Sequence, residues 1–251
     1  MKTNLDTLWS DLRELNMPVW ALLAGTLINS FGTFVVFFLV LFLTRLGFTP
    51  VQAGLAASTF SLGGMAAALI GGYLADRVGP RAVIILSMFA SAVTMLMFAQ
   101  VKTLPLMLLL SLLAGLSTQL HGPATATLLT QLTPEDKRVT AFALLRFSAN
   151  FGSTLGPIAA GLLLERSPTY LFVGDALTSI IFGLIAIMVL PRMSVQANQV
   201  ATPRVPFNQI FKHRDILKYN VYIIIMNQCT YLSAFFSSFF IRPSNQWKDR
   251  M

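Results

Sequence analysis

The chain has 251 residues, of which 55% are hydrophobic and only 11% are charged, and its mean hydropathy is +0.69. In soluble domains roughly a quarter of all residues are charged. This composition therefore excludes a soluble globular protein and indicates a membrane protein. The formal net charge of +8 would favour nucleic-acid binding in a soluble chain, but here membrane orientation explains it better, and we expect no nucleic-acid partner.

Seven hydrophobic segments follow one another along the chain, each long enough for a helix across the roughly 30 Å of a bilayer's hydrocarbon core. The segments lack the alternating pattern of barrel strands, so the predicted fold class is an all-α polytopic membrane protein. The first segment follows an acidic leader and is too long for a cleavable signal peptide, and we interpret it as a true span. The predicted spans are residues 18–43, 51–75, 82–101, 104–132, 139–164, 170–190 and 219–241.

The basic residues predict the orientation, since cytoplasmic segments are enriched in lysine and arginine. With a cytoplasmic N-terminus, the inner segments hold eleven basic residues. The outer loops then hold three, Arg45, Lys102 and Arg166. We therefore expect a multi-pass protein of the plasma membrane with its N-terminus in the cytoplasm, which in a bacterium means the inner membrane.

Two pairs of similar segments indicate an internal repeat. TPVQ (49–52) and TPED (133–136) stand before the second and fifth spans, and each offers a threonine N-cap followed by proline at the first helical position. GYLADR (72–77) and GLLLER (161–166) end the same two spans, 89 positions apart. Because three spans reverse the direction of the chain, spans one to three and four to six would be inverted repeats, as in many secondary transporters.

Residues 191–218 form the one long polar linker and contain three prolines. We predict a six-span bundle over residues 1–190, a basic cytoplasmic linker over residues 191–218, and a seventh span with an atypical tail over residues 219–251. The tail would lie outside, yet it carries Arg242, Lys248 and Arg250, against the orientation rule. We therefore expect that the chain is a fragment, or that its final residues do not belong to the native protein.

The turn between the second and third spans, GGYLADRVGPR (71–81), concentrates charge in a chain that has little. The simplest interpretation is a tight, positively charged inner turn, but such a turn gains nothing from its acid. The turn resembles the signature loop of the major facilitator superfamily, which it matches at Gly72, Asp76, Arg77, Gly79 and Arg81. Pro80 stands where that family usually has a basic residue. The resemblance implies a conformational latch, with Asp76 facing a helix of the transporter's second half and the two arginines as supporting charges.

The fifth span contains NFGSTLGPIAAG (150–161), which resembles the proline–glycine motif of the drug/proton antiporters in the same superfamily. Small residues let membrane helices approach closely, and a proline removes a backbone donor and permits a kink. The alternative is a generic packing helix, since Ala143 and Ala160 replace glycines of the family's motif. The motif favours export, and its matching residues are Gly152, Gly156, Pro157 and Gly161.

The resemblance covers six spans, the linker and the start of a seventh span, where a full member of the family has two six-helix halves. It implies a truncated N-terminal bundle, whose partner would be the missing C-terminal bundle or a second copy. Span four, GLSTQLHGPATATLLTQL, lacks the arginine that the family carries there. The proton-coupling role of that arginine is therefore not transferred.

Polar side chains inside membrane spans are costly, so each is a candidate for substrate binding or proton coupling. Arg146 and Asn150 lie one turn apart on span five, and we prefer this pair as the inner-cavity site, although Arg146 is shallow enough to reach the lipid interface. Asp175 in span six could carry a proton, or it could instead bond to a neighbouring helix.

Spans one and four border the central cavity in the fold that the resemblance implies, and three polar residues lie near their middle. Asn29, Gln119 and His121 are therefore candidate substrate contacts. For His121, the alternative to proton coupling is a neutral hydrogen bond between helices.

The sequence contains no catalytic triad, no metal-ligand spacing and no nucleotide-binding glycine loop, and its only cysteine is Cys229. We expect neither an enzyme nor a cofactor or metal, and transport would draw on an ion gradient or on the substrate's own gradient. The leading hypothesis is a proton-coupled secondary transporter in the lipid bilayer that exports small hydrophobic or drug-like molecules by alternating access. The alternatives are an uptake transporter for a sugar or other metabolite, and a truncated, non-transporting remnant.

Overall fold

The computed structural model describes residue 12 and residues 14–101, 103–167 and 169–192. The chain divides into two units, Met1–Val195 and Gln196–Met251, and all described residues lie in the first. The predicted linker beyond residue 192, the seventh span and the charged tail lie outside the described residues. Within the described ranges the protein is helical and has no strand, which confirms the predicted all-α class.

Eight α-helices and one short 3₁₀ turn follow one another in these ranges. Spans two, three, five and six are each one continuous helix, whereas spans one and four are each divided into two helices. The helices are α1 (Met17–Gly32), α2 (Phe34–Arg45), α3 (Pro50–Val78), α4 (Pro80–Phe98), α5 (Leu104–Gln119), α6 (His121–Leu132), α7 (Arg138–Arg166) and α8 (Thr169–Val189), with the 3₁₀ turn at Glu135–Lys137 between α6 and α7.

The two breaks have local causes. At Thr33 the backbone leaves the helix (φ −73°, ψ +61°), and the hydroxyl of Thr33 donates to the carbonyl of Asn29 at 2.9 Å, in competition with the helical backbone bond. In span four, Pro123 has no N–H to donate to the carbonyl of Gln119, so the bond that would join α5 to α6 is absent. The backbone at Leu120 stays near helical values (φ −61°, ψ −31°), so the second break is the milder one.

The helix lengths repeat along the chain. α1 and α2 have 16 and 12 residues, and so do α5 and α6. α3 and α7 both have 29 residues, and α4 and α8 have 19 and 21. Each half of the bundle is thus a broken span followed by two continuous helices, which confirms the predicted pair of three-helix repeats.

Among the described residues, four helical segments are long and apolar enough to cross a membrane: α3, α4, α5 together with α6, and α8. α1 is apolar, but it has only 16 residues because span one is broken. α7 has 29 residues, but Arg138, Arg146 and Arg166 make it more polar than the other long helices. The apolar helices are those of an integral membrane protein.

The two predicted threonine caps behave differently. At Thr49, the N–H of Gln52 donates to the threonine hydroxyl at 3.3 Å and the N–H of Thr49 donates to the Gln52 side chain at 2.9 Å, which is a complete capping box ahead of α3. At Thr133 the prediction is wrong, because Pro134 leads into the 3₁₀ turn and α7 begins only at Arg138. The Thr133 hydroxyl is buried and makes no hydrogen bond in the described part of the chain.

We call the end of the bundle that holds the start of α1, the α3–α4 turn and the end of α8 the proximal end, and the opposite end the distal end. Near the distal end, Phe42, Phe98 and Phe172 from α2, α4 and α8 form an aromatic cluster with ring centroids 4.7 to 6.4 Å apart. At the proximal end, Lys137 forms an ion pair with Glu14 just before α1. Contacts at both ends thus join helices of the two repeats.

α3 and α5 approach each other at glycines. A Cβ added at Gly63 would collide with the backbone of Leu112, and one added at Gly115 would collide with the backbone of Phe60. Without side chains at these two positions, the helix backbones come into direct contact. Close approach of this kind attracts helices in a bilayer through van der Waals packing. Apolar side chains gain little by moving from lipid tails into a helix interface.

Candidate functional site

A glycine in the left-handed region shapes the turn between α3 and α4. Gly79 has φ +89° and ψ +143°, and its N–H donates to the carbonyl of Ala75 at 3.1 Å, which closes the end of α3. Pro80 follows at the first helical position of α4, where no helical N–H bond is required. A residue with a Cβ is strained in this conformation, so the turn requires Gly79.

Asp76 and Arg77 are exposed on the last turn of α3. The guanidinium carbon of Arg77 lies 4.7 Å from the centre of the Tyr73 ring, a cation–π contact within the same helix. Asp76 makes no hydrogen bond or ion pair with any residue that the structure describes. Its carboxylate is therefore accessible to a group outside this bundle.

Arg81 is bonded within the bundle. Its Nε donates to the carbonyl of Ala186 at 3.1 Å, and its Nη2 donates to the carbonyl of Ile187 at 2.6 Å. Both carbonyls belong to the last turn of α8, where carbonyls have no helical partner. Arg81 thus ties the start of α4 to the end of α8, and its partners are these carbonyls rather than the carboxylate of Asp76.

Two glycines of the predicted packing motif lie against α1. A Cβ added at Gly152 would come within 2.6 Å of the carbonyl oxygen of Leu27, and one added at Gly156 within 2.7 Å of the carbonyl oxygen of Phe31. Pro157 lies inside α7, which continues through it. Gly161 differs, because no atom of the residues that the structure describes, outside its own helix, lies within 4 Å of an added Cβ there.

The face of α7 opposite these glycines is exposed. Arg146 and Asn150 both lie on it, one turn apart, and the rings of Phe147 and Phe151 stack beside them with centroids 5.5 Å apart. Arg146 makes no hydrogen bond or ion pair with another residue in the described ranges. This face combines a cation, an amide and two aromatic rings on one surface.

Gln119 and His121 flank the break in span four. His121 Nδ1 lies 2.7 Å from the carbonyl oxygen of Thr118, so Nδ1 carries the donated proton and Nε2 is left as an acceptor in the neutral ring. The ring meets Phe182 of α8 edge-on at 6.1 Å. Gln119 is exposed and lies over Gly64 of α3, where an added Cβ would be 3.2 Å from its Cγ.

Asn29 of α1 and Asp175 of α8 are buried, with 6% and 3% of their surface exposed. Asn29 Oδ1 accepts a hydrogen bond from the hydroxyl of Ser179 at 3.3 Å. Along α8, Asp175 lies one turn before Ser179. It also lies between Thr178, which contacts Gly32 of α1, and Phe172 of the aromatic cluster. Asp175 is therefore level with the break in span one.

The structure thus separates the predicted site residues into three places. The signature loop lies at the proximal end, and Arg146 and Asn150 lie on the outer face of α7. Asn29 and His121 border α8, because Asn29 bonds to Ser179 and His121 contacts Phe182, three residues further along. Gln119 instead lies over Gly64 of α3.

Sequence reasoning missed a pair of hydrogen bonds between α4 and α5. The hydroxyl of Ser87 donates to the carbonyl of Ser117, and the hydroxyls of Ser91 and Thr118 are 3.2 Å apart. The spacing of the two serines, four residues apart within an apolar helix, was the available signal, since such hydroxyls commonly join membrane helices.

A bundle of two three-helix repeats, each opening with a broken span, is an architecture of many α-helical membrane transporters. The model of the Major Facilitator Superfamily matches residues 22–246, and the chain belongs to that family. This confirms the resemblance drawn from the α3–α4 turn and from span five.

The chain is similar in sequence to two bacterial proteins. The chain is 24% identical over 236 residues to the uncharacterized MFS-type transporter YqjV of Bacillus subtilis, covering 92% of this chain and 57% of that protein. It is 28% identical over 135 residues to the quinolone resistance protein NorA of Staphylococcus aureus, covering 53% of this chain and 35% of that protein. The chain therefore spans about half the length of YqjV, and its match to NorA is shorter.

The fold is also that of a solved transporter. A crystal structure of the peptide transporter POT in complex with sulfate superposes with a TM-score of 0.61 at 18% identity, covering 85% of this chain and 46% of that chain. At this identity the likeness concerns the fold alone.

Proposed function

We propose that this chain supplies the N-terminal bundle of a secondary active transporter that exports small hydrophobic or drug-like molecules in exchange for protons. The similarity to NorA supports the drug-like substrate class, and the excess of basic residues at the proximal end supports a cytoplasmic location for that end. The observation that carries the proposal is Asp76, an exposed acid without a partner in the described bundle, on the last turn of α3 just before the turn at Gly79.

An acid in this position acts as a latch. When a second bundle approaches the proximal end, the carboxylate of Asp76 accepts a hydrogen bond or an ion pair from it, and the contact is lost when the two bundles separate. A hydrogen bond to a charged group contributes about 1.5–3 kcal/mol, and about 1.4 kcal/mol changes a conformational equilibrium tenfold. One carboxylate is therefore sufficient to bias the two states of alternating access.

The substrate path runs beside the broken spans. Discontinuous helices at corresponding positions of two repeats are the usual location of substrate and ion sites near the bilayer midplane. Gln119 and His121 flank the milder break, and Asp175 is level with the sharper one. We assign substrate contact to Gln119 and proton exchange to His121 or Asp175. Arg146 and Asn150, on the exposed face of α7, are further substrate contacts near the cytoplasmic end of the path.

Inverted membrane vesicles test the proposal. A pH-sensitive dye is quenched when the vesicles acidify, and export in exchange for protons predicts that a quinolone restores fluorescence in vesicles that contain this chain together with the second bundle of the transporter. Vesicles that contain the Asp76→Ala variant, inserted to the same level, serve as the control and should give little recovery. Recovery with neither quinolones nor other hydrophobic drugs, combined with uptake of a sugar by intact cells, would contradict export and support an uptake transporter.

A further inference from the structure

A basic cleft opens at the proximal end between the α3–α4 turn and the end of α8. It has a volume of about 380 Å³, and its lining combines two arginines with small and apolar residues. The lining residues are Val78, Gly79, Arg81, Ala82, Ile85 and Arg192. Among the residues that the structure describes, no acidic side chain lines the cleft, so this described lining is positively charged.

The guanidinium of Arg81 is fixed and still has donors to offer. A guanidinium carries five N–H groups, and Arg81 uses one on Nε and one on Nη2 for the carbonyls of Ala186 and Ile187. The remaining N–H groups stay in a fixed orientation beside Arg192, which is exposed. Two guanidinium groups on one cleft match the geometry of a phosphate, since each can donate two parallel hydrogen bonds to its oxygens.

The walls beside the cleft are suited to hydrocarbon. Ala82 and Leu86 lie one turn apart on an exposed face of α4, and Ile187 and Met188 are exposed at the end of α8. In a bilayer these apolar surfaces face acyl chains, and the cleft lies at the ends of the helices, where phospholipid head groups lie. Apolar walls below a basic cleft fit an amphiphile better than a free ion.

We propose that this cleft binds the phosphate of an anionic phospholipid, with Arg81 and Arg192 on the head group and the acyl chains along the exposed faces of α4 and α8. Basic pockets between helices at the cytoplasmic surface bind such head groups in other membrane proteins. The site lies apart from the breaks in spans one and four, and its occupancy joins α4 to α8. A bound lipid therefore stabilises the contact that Arg81 already makes between these helices.

Native mass spectrometry of the whole protein in detergent tests the site. We expect retention of added phosphatidylglycerol, with the Arg192→Gln variant binding about tenfold more weakly because it loses a charge-assisted donor group. Arg77→Gln is the matched control, since Arg77 is an exposed arginine at the same end that contacts Tyr73 and does not line the cleft. Arg192→Lys should recover part of the binding, and equal circular dichroism of all variants shows that each one is folded.

Two further probes distinguish the occupant. Phosphatidylcholine should bind more weakly than phosphatidylglycerol, and inorganic phosphate at the same molar concentration should not displace the bound lipid. Equal retention by Arg192→Gln and the wild type, equal loss in Arg77→Gln, or equal binding of phosphatidylcholine would overturn the proposal. Displacement of the lipid by inorganic phosphate would also overturn it, because it would indicate that the cleft binds a free anion. None of these readouts depends on transport, so failure here is separate from failure of the exporter proposal.

Discussion

At the scale of single residues, neighbouring residues of the signature loop have different structural roles. Gly79 sets the backbone, Arg77 contacts a ring of its own helix, Arg81 bonds to α8, and Asp76 has no partner in the described bundle. The motif itself was recognisable from residue types and spacing. The partners of Arg81 were not, because the carbonyls of Ala186 and Ile187 lie more than a hundred positions away and a carbonyl carries no sequence signal.

Replacing Gly79 with alanine should lower the free energy of unfolding by about 1–3 kcal/mol, the cost of a left-handed backbone with a Cβ. Gly72→Ala is the matched control from the same loop, because an added Cβ there meets no atom of the described residues within 4 Å and alanine favours a helix by about 1 kcal/mol. Thermal unfolding in detergent, followed by tryptophan fluorescence, measures both. Equal unfolding temperatures for the two variants would show that the turn is not under this constraint.

The bond between Arg81 and α8 predicts an asymmetry between the two arginines of the loop. Arg81→Gln removes two charged hydrogen bonds from the end of a helix and should destabilise the bundle by about 1–3 kcal/mol. Arg77→Gln removes one exposed cation–π contact, which contributes about 0.5–1 kcal/mol. Denaturation in a detergent series compares them, and a larger effect of Arg77→Gln would argue against the tie between α4 and α8.

At the scale of helices, the sequence predicted the six spans of the first bundle but not the two breaks. The break at Thr33 could not be predicted, because the apolar run continues past it without a proline. The hydroxyl of Thr33 bonds to the carbonyl of Asn29 where α1 ends, but a threonine can make several such local bonds, so the sequence does not show which one forms. Pro123 is a readable signal, although it marks the break only three residues after Leu120. The TPED segment failed for a different reason, since Pro134 leads into a 3₁₀ turn and α7 begins only at Arg138, so Thr133 does not directly precede the helix.

Close packing of α7 on α1 predicts how its glycines respond to substitution. Gly152→Val would drive a side chain into the backbone of α1, so we expect a loss of about 1–3 kcal/mol or more from overpacking. Gly161→Val on the same helix meets no atom of the described residues within 4 Å of the added Cβ and should have a much smaller effect. Yield of folded protein and the unfolding temperature are the measurements. Similar losses at both positions would mean that helix propensity, not contact with α1, decides the outcome.

At the scale of the whole molecule, two repeats of similar helix lengths generate a bundle whose first and fourth spans are both discontinuous. The chain belongs to the Major Facilitator Superfamily. We propose that the signature loop is the part of this bundle that contacts a second bundle. The sequence predicted the class and the loop because both depend on hydrophobic runs and short motifs. It did not predict that Asn29 would bond to Ser179 or that His121 would lie against Phe182, since those contacts depend on how the helices are rotated.

Drug flux in inverted vesicles, compared between the wild type and the Asp76→Asn variant at equal insertion, is the most direct test of the latch. Removing the charge with little change in shape should reduce flux at least about tenfold, which corresponds to about 1.4 kcal/mol of lost bias between the two states. Glu135→Gln is the control, because Glu135 is an exposed acid at the same end of the bundle. A wild-type flux in Asp76→Asn, or an equal loss in Glu135→Gln, would contradict the account.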